Sequence, residues 1–376
     1  MSRTTIVTTT IRVPTFLRDV LDNAKRHHHE QIASLVIGDT KTPVETAEFC
    51  RSLSAASGIS VTYLDIEAQR RALADYPQLW NMMPLNCGAR KLLGNFLAYL
   101  DGCETLIMLD DDNFVAENDF IGWHGVVGTT VSLPIVTSSS GWYNIAETVV
   151  EASGVPFYPR GYPWSQRVPQ SARPTVKIHP QPLRVAVKNG LVLEDPDIDA
   201  ISRLFWPIRV TALRPDFAPQ FGLAPGTWTP FNNQNTSLAR DLIPVYYTPP
   251  STGRNADIWT SFVICRLVEH MGQAVSFGQP LVRQIRNPHD LWRDLEDETC
   301  NNRATDRFVA LLRSIPLSAP TYVGALEQLL RGGLAGMSAL ADVPEDQRNM
   351  MQRFFEEYQM WLGLFTNAEV PLQRSR

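Results

Sequence analysis

No glycine-rich phosphate loop is written into this chain: neither G-x-G-x-x-G nor G-x-x-x-x-G-K-[ST] occurs in it. Phosphate, if bound, must be met by metal and by cationic side chains. Cysteine is scarce as well. The five present, Cys50, Cys87, Cys103, Cys265 and Cys300, are scattered, odd in number and without C-x-x-C spacing, which argues against a disulfide framework or a zinc site and suits a reducing compartment. No window is apolar over the length that a bilayer span needs, and MSRTTIVTTTIRVP lacks the basic-then-apolar layout of a signal peptide. A cytoplasmic protein without a transmembrane segment is expected. Nor is charge of one sign in large excess: a formal net charge of -5, with both signs interspersed, leaves out the footprint of a nucleic-acid binder.

What is present suffices for a large core, with 376 residues of which 44% are hydrophobic. Thr4 to Thr10 is predicted as a strand closed by Arg12 and Pro14, Phe16 to Gln31 as a helix, and Ile32 to Ile37 as a second strand. A helix over Thr46 to Ser57, a strand over Ile59 to Leu64 and a helix over Asn86 to Leu100 follow. This alternation predicts an α/β fold with a mostly parallel sheet flanked by helices. His27, His28 and His29 point different ways around a helix and are expected at a solvated helix end rather than on a metal. The stretch from Trp123 to Pro182 is rich in Gly, Pro, Ser and aromatics and is expected to be a functional loop system. Leu183 to Leu193 is predicted as one strand. Asp257 opens an apolar helix running to about His270, first of all as its N-cap and, where the helix mouth faces a cleft, as an active-site base. Beyond Asn287, helical spacing over Thr305 to Arg331 and Glu345 to Phe365 predicts a helical appendage, so the chain divides into a main domain over 1–300 and a helical region over 301–376. The stripe of Phe354, Phe355, Tyr358, Trp361 and Leu362 is expected to pack on the main domain, with homo- or hetero-oligomerisation as the alternative.

The centre of the pattern is TLIMLDDDNF, Thr105 to Phe114. Five apolar or β-branched residues form a strand buried on both faces, and three carboxylates stand at its carboxyl end. Asp110, Asp111 and Asp112 repel one another unless a cation sits among them. A hard ion, Mn²⁺ or Mg²⁺, takes such oxygen ligands together with nucleotide phosphates. Ligands of open α/β sheets bind at the carboxyl ends of strands, so Thr10, Arg12 and Asp39, at the ends of the first two strands, are expected around a nucleoside. Arg90 and Lys91 lie where they could reach a diphosphate, or form a basic exposed face.

Four separated motifs then carry a resemblance: Asp110-Asp111-Asp112; Arg160-Gly161-Tyr162-Pro163-Trp164-Ser165 with Arg167; Asn189-Gly190-Leu191 leading to Pro196-Asp197-Ile198-Asp199; and Gly253-Arg254 with Asp257-Ile258-Trp259. In order and approximate spacing, over residues 5 to 300, they resemble the reversibly glycosylated polypeptides, which include the UDP-arabinopyranose mutases. The resemblance implies a glycosyltransferase type A fold, a divalent metal (usually manganese) on Asp110, Asp111 and Asp112, and a UDP-sugar substrate. Arg160 matches the arginine that becomes reversibly glycosylated, Arg167 a second arginine needed for activity, and Asp257 an acid beside the sugar. Asn189, Asp197, Asn235 and Trp259 are expected to join the nucleotide-sugar site. The chain departs from the family where Gln284 and its neighbours stand before Asn287-Pro288, since a histidine is usual there; His289 is a candidate substitute. The activity implied is interconversion of pyranose and furanose forms of a UDP-pentose. The alternative is transfer of the sugar to an external acceptor, since both reactions begin with the same bond cleavage.

Overall fold

The computed structural model describes residues 3–169, 172–286 and 289–366. Its first half runs β1 (Thr4–Thr10), α1 (Phe16–Arg26), β2 (Ile32–Gly38), α2 (Thr46–Ser57), β3 (Ser60–Leu64), α3 (Ile66–Ala72), α4 (Pro77–Met82), α5 (Lys91–Leu100) and β4 (Thr105–Leu109). Then come β5 (Asn113–Val115), α6 (Phe120–His124), β6 (Thr130–Ser138), β7 (Val149–Glu151), β8 (Val176–Asn189), β9 (Leu191–Glu194), α7 (Ala200–Phe205), β10 (Val210–Leu213), β11 (Gln220–Leu223) and β12 (Asn235–Ala239). The chain ends in α8 (Ala256–His270), β13 (Ala274–Gly278), β14 (Pro280–Gln284), α9 (Leu291–Ser314), α10 (Tyr322–Gly336) and α11 (Glu345–Thr366).

Nine strands form one mixed sheet in the order β13-β11-β6-β8-β12-β4-β1-β2-β3. Strands β3, β2, β1 and β4 are parallel, as the strand–helix alternation predicts, and β12 turns the sheet antiparallel beside β4. Every residue of β4 is buried, which follows from its unbroken apolar run. A second sheet, β5-β14-β9-β10-β7, lies at the carboxyl end of β4. The fold is thus a mixed α/β architecture with C-terminal helices, and among the described residues no helix is long and apolar enough to cross a membrane.

Four local departures from the sequence reading have physical causes. Helix α1 stops at Arg26, because His28 takes φ 59° and the His27, His28 and His29 amides turn back onto Asn23, Lys25 and Ala24. The predicted helix from Asn86 begins only at Lys91, since Asn86 itself has φ 56° and Gly88–Arg90 is a 3₁₀ turn. The stretch expected to be loops holds the longest ribbon of the fold, with Thr130 opposite Arg184 and Ser138 opposite Val176. Its prolines hide it in the sequence; Pro134 stands opposite Pro180, and residues 176–182 of β8 are an exposed edge where proline is tolerated. Finally, the strand predicted over Leu183 to Leu193 breaks at Gly190, where the chain passes from one sheet to the other. A Cβ there would stand 2.3 Å from Asn235 Nδ2, so the crossing requires glycine.

The C-terminal helices share one apolar core with the main sheet. Trp361 stacks on Tyr247 at 5.2 Å and Trp259 on Phe308 at 4.1 Å, and Phe354, Phe355 and Tyr358 are fully buried. The aromatic stripe is core.

Candidate active site

A cavity of about 540 Å³ opens at the carboxyl end of β4, lined by Lys91 and Asp110 together with Arg160, Asp197 and Asp257. Arg254, Arg286 and His289 complete its polar rim. Asp110 follows the last residue of β4, and its N–H is held by the carbonyl of Gln234 at 2.9 Å. Lys91, at the first turn of α5, donates to Asp110 Oδ1 and to the Asn233 carbonyl.

Within the same lining, Arg160 is gripped from three sides. Its Nε and Nη2 meet Asp197 at 2.8 and 2.9 Å, the same Nη2 meets Asp257 Oδ2 at 3.0 Å, and Nη1 donates to the Arg254 carbonyl. Burial works to discharge the guanidinium, but the two carboxylates outweigh it and hold its pKa well above the ordinary value. Burial likewise pushes Asp197 up, yet the charge and hydrogen bonds of Arg160 bring it well below the usual carboxylate range. Asp257 goes the other way: burial raises its pKa, and the partial relief from Arg160 does not cancel it. Gly161 makes this geometry attainable. It has φ 73°, and a Cβ there would lie 2.2 Å from Ile258, so only glycine lets the loop close on the start of α8. Asp257 is not the N-cap: Asn255 holds that position, and Asp257 sits in the first turn with its carboxylate on Arg160. A small, mostly apolar cavity lined by Phe157, Phe231 and Ile258 also touches the Arg160–Asp197 pair.

The acid triplet fans out. Asp111 Oδ2 lies 2.8 Å from the Thr10 hydroxyl and 3.4 Å from Arg12 Nε, away from the cavity wall. Asp112 is buried just behind the lining, and burial followed by the charge of Asp110 raises its pKa, as uncompensated neighbouring carboxylates must. Among the described residues no three His, Cys, Asp or Glu side chains converge as a ready-made cage. The donor set nevertheless fits a hard divalent ion, because such an ion takes one or two carboxylates and completes its shell with phosphate oxygens and water.

Of the other expected site residues, Asp39 accepts from the amides of Thr40 and Asn86, both at 2.7 Å, and so fixes the turn whose residues 86–89 line the cavity. Arg90 is fully buried, donating to the Met83 carbonyl and Gln69 with Asp39 3.8 Å away, and does not face the cavity. Arg167 pairs with buried Asp199 at 2.6 Å and lies over Trp164 at 3.8 Å. Asn189 donates to Thr236, Asn235 pairs with His124, and Trp259 is a core residue bonded to Thr305. These four stand outside the charged cavity. Sequence reasoning missed its amides: Asn232, Asn233, Gln234 and Gln284 all line it. The run Phe231-Asn232-Asn233-Gln234-Asn235, four amides entering a buried strand, was the available signal.

No family model matches the sequence, and no curated protein does. Among solved structures, glucosyl-3-phosphoglycerate synthase from Mycobacterium tuberculosis, in complex with Mn²⁺, UDP-glucose and phosphoglyceric acid, is 10% identical with a TM-score of 0.40, covering 82% of this chain and 78% of that one. The mannosyltransferase PcManGT from Pyrobaculum calidifontis, in complex with GDP-Man and Mn²⁺, is 12% identical with a TM-score of 0.38, covering 97% of this chain and 88% of that one.

Proposed function

We propose that the protein is a cytoplasmic, divalent-metal-dependent enzyme of nucleotide sugars that cleaves the bond between the anomeric carbon and the diphosphate of a UDP-sugar. The observation that carries this reading is that Asp110 and the Arg160–Asp197–Asp257 lattice line one cavity. Asp110 and Asp112 would hold Mn²⁺ or Mg²⁺, with Asp111 anchoring the turn through Thr10 and Arg12. A cation held there would supply neutralising charge for the departing diphosphate. Lys91, Arg254 and Arg286 line the same cavity and supply fixed positive charge for phosphate oxygens. Asp257, with its raised pKa and its place in the cavity, is the candidate to take a proton from a sugar or acceptor hydroxyl. All five cysteines are free, which fits a reducing compartment.

Within that class, the four motifs support a mutase that interconverts pyranose and furanose forms of a UDP-pentose. The Arg160–Asp197–Asp257 lattice gathers three of the motifs, those of Arg160, Asp197 and Asp257, into one site. A second reading, transfer to an external acceptor, is favoured by one observation: Arg160 is engaged on every side as a cation and offers no nucleophile to keep the sugar on the protein. Incubation with UDP-arabinopyranose and Mn²⁺ without acceptor separates the two. Furanose product supports the mutase; turnover only when an acceptor hydroxyl is supplied supports the transferase. No binding of UDP or UDP-sugar with Mn²⁺ overturns both.

A further inference from the structure

Between the acid triplet and the Arg160 lattice runs an unbroken line of amides. Asn113 Nδ2 donates to Asp112 Oδ1 at 2.9 Å and Gln284 Nε2 to Asp112 Oδ2 at 3.1 Å, so each oxygen of that carboxylate is held by a different amide. Both amides present their own oxygens to one residue. Gln234 Nε2 donates to Asn113 Oδ1 at 3.0 Å and to Gln284 Oε1 at 2.8 Å. Gln234 Oε1 in turn accepts from Asn232 Nδ2 at 2.8 Å, and that nitrogen's other hydrogen goes to Asp197 Oδ2, also at 2.8 Å. Asp197 holds Arg160, which holds Asp257. All four amide residues are buried.

The polarity of this line is dictated by its ends. An ionised carboxylate only accepts, so Gln284 and Asn113 must turn N–H toward Asp112, and Asn232 must turn N–H toward Asp197. Those choices leave oxygen atoms facing Gln234 from one side and an N–H from the other, and Gln234 fits only one way round. Flipping its amide would set N–H against N–H and oxygen against oxygen at three contacts at once, each a buried polar group left unpaired. Asp112 and Asp197 are therefore linked through a single side chain.

We infer that Gln234 is a positioning residue that couples the cation-binding carboxylate Asp112 to the Arg160–Asp197 pair, holding the two carboxylates in fixed register through its amide. The inference rests on the nucleotide-sugar reading, because that substrate spans the two ends: diphosphate and cation at Asp110 and Asp112, anomeric carbon toward Arg160. It assigns Asn232 as the link to Asp197 and Asn113 with Gln284 as the links to Asp112, and explains the amide-rich run at the start of β12, which neither metal binding nor packing alone requires.

The test is a double-mutant cycle read by Mn²⁺ binding in the presence of UDP, followed by the electron paramagnetic resonance signal of free Mn²⁺. In the otherwise unaltered protein, Asp197→Asn removes the charge and one of the two acceptor oxygens at the far end of the line and should weaken Mn²⁺ binding by about fivefold. In the Gln234→Leu background the same substitution should change it by less than about 1.5-fold. A role for Gln234 in packing alone does not produce this difference. Asn232→Leu cuts the line at its single link to Asp197 and gives the same result where Gln234→Leu fails to fold. Equal effects of Asp197→Asn with and without Gln234 or Asn232 overturn the coupling alone. Absence of Mn²⁺-dependent UDP binding by the unaltered protein overturns the coupling together with the nucleotide-sugar reading.

Discussion

Asp257 Oδ2 lies 3.0 Å from Arg160 Nη2, the nitrogen that Asp197 Oδ2 already holds at 2.9 Å. One guanidinium edge thus serves two buried carboxylates, and they diverge. Asp197, with two hydrogen bonds from Arg160 and one from Asn232, stays a firm anion, whereas Asp257 keeps only a share of the charge and its pKa rises. Two acids whose surroundings push their pKa values apart suit two roles, one structural and one in proton transfer.

Their substitution should separate stability from activity. Asp197→Asn leaves Arg160 buried with half its counter-charge and should cost about 3–5 kcal/mol at pH 7, measured by urea unfolding. The sign follows from the depressed pKa of Asp197. Its contribution is full above the ordinary Asp pKa of about 3.9 and is lost as pH falls, so the gap between the unaltered protein and the variant narrows in acid. Asp257→Asn relieves the repulsion with Asp197 and should change stability by less than about 1 kcal/mol, while lowering turnover about 10²-fold or more. A large stability loss with unchanged turnover sinks the assignment of Asp257.

Removal of Asp112 tests the metal reading. Asp110→Ala and Asp112→Ala should abolish the Mn²⁺ dependence of UDP binding in calorimetry. Asp111→Ala should retain it with affinity reduced by less than about tenfold, because its carboxylate is spent on Thr10 and Arg12. Mn²⁺-dependent affinity that survives Asp112→Ala excludes the triplet as the site.

The nucleoside expectation now has a mechanism for Asp39. Its carboxylate holds the Thr40 and Asn86 amides, and Asn86 carries a positive φ that this bond helps to fix. Asp39→Ala should weaken UDP binding about tenfold and cost about 1–3 kcal/mol of stability. Equal binding by both proteins rejects it.

Legibility in the sequence differs by element. Strand β4 and its carboxylates can be read directly, because five consecutive apolar or β-branched residues running into three acids specify a central strand that ends at a polar site. The same holds for β1, β2, α2 and the burial of Trp361 and Phe354. The β6–β8 ribbon cannot, since Pro134, Pro180 and Pro182 signal a loop until the strand opposite is known. In the site, the resemblance singles out Arg160, Asp197 and Asp257, which prove to be in contact although up to 97 residues apart in sequence. Arg90, Arg167 and Trp259 are also expected there, but their side chains face the core or another acid. Orientation is a property of packing that residue type does not encode. The amide line escapes a sequence reading because Asn and Gln are common on surfaces, and only the partners reveal that these are buried.

Lys188, which does not line the charged cavity, gives a stability prediction. Its ammonium is fully buried on β8 with no hydrogen-bond partner among the described residues, and burial brings its pKa down to about 7. His124 nearby is held down to about 3 by burial and stays neutral. Between about pH 7 and the ordinary lysine value near 10.4 the unfolded chain binds a proton that the folded one does not, so stability should rise with pH across that window by a few kcal/mol. Lys188→Met should stabilise the protein at pH 6 to 7 and flatten the profile in thermal melts. A profile identical to that of the unaltered protein rejects the buried, unpaired lysine.

Whether Arg160 ever carries the sugar is decided by its proton. A guanidinium becomes nucleophilic only on losing a proton, and here Asp197 and Asp257 hold that proton in place by raising the pKa well above the ordinary value. Asp257 is the only one of the two with a raised pKa and so the only acceptor available within 3.0 Å, yet taking the proton would leave Asp197 facing a neutral arginine in a buried site. The expected result of intact-mass analysis after incubation with UDP-sugar and Mn²⁺ is therefore no adduct, with Arg160→Lys losing about 10²-fold in turnover because a single ammonium does not reproduce the two-toothed grip on Asp197. An added sugar mass that maps to the Phe157 to Arg167 peptide and is chased off by UDP overturns this and makes Arg160 the covalent carrier, in which case the proton must leave through Asp257 and Asp257→Asn must abolish the adduct.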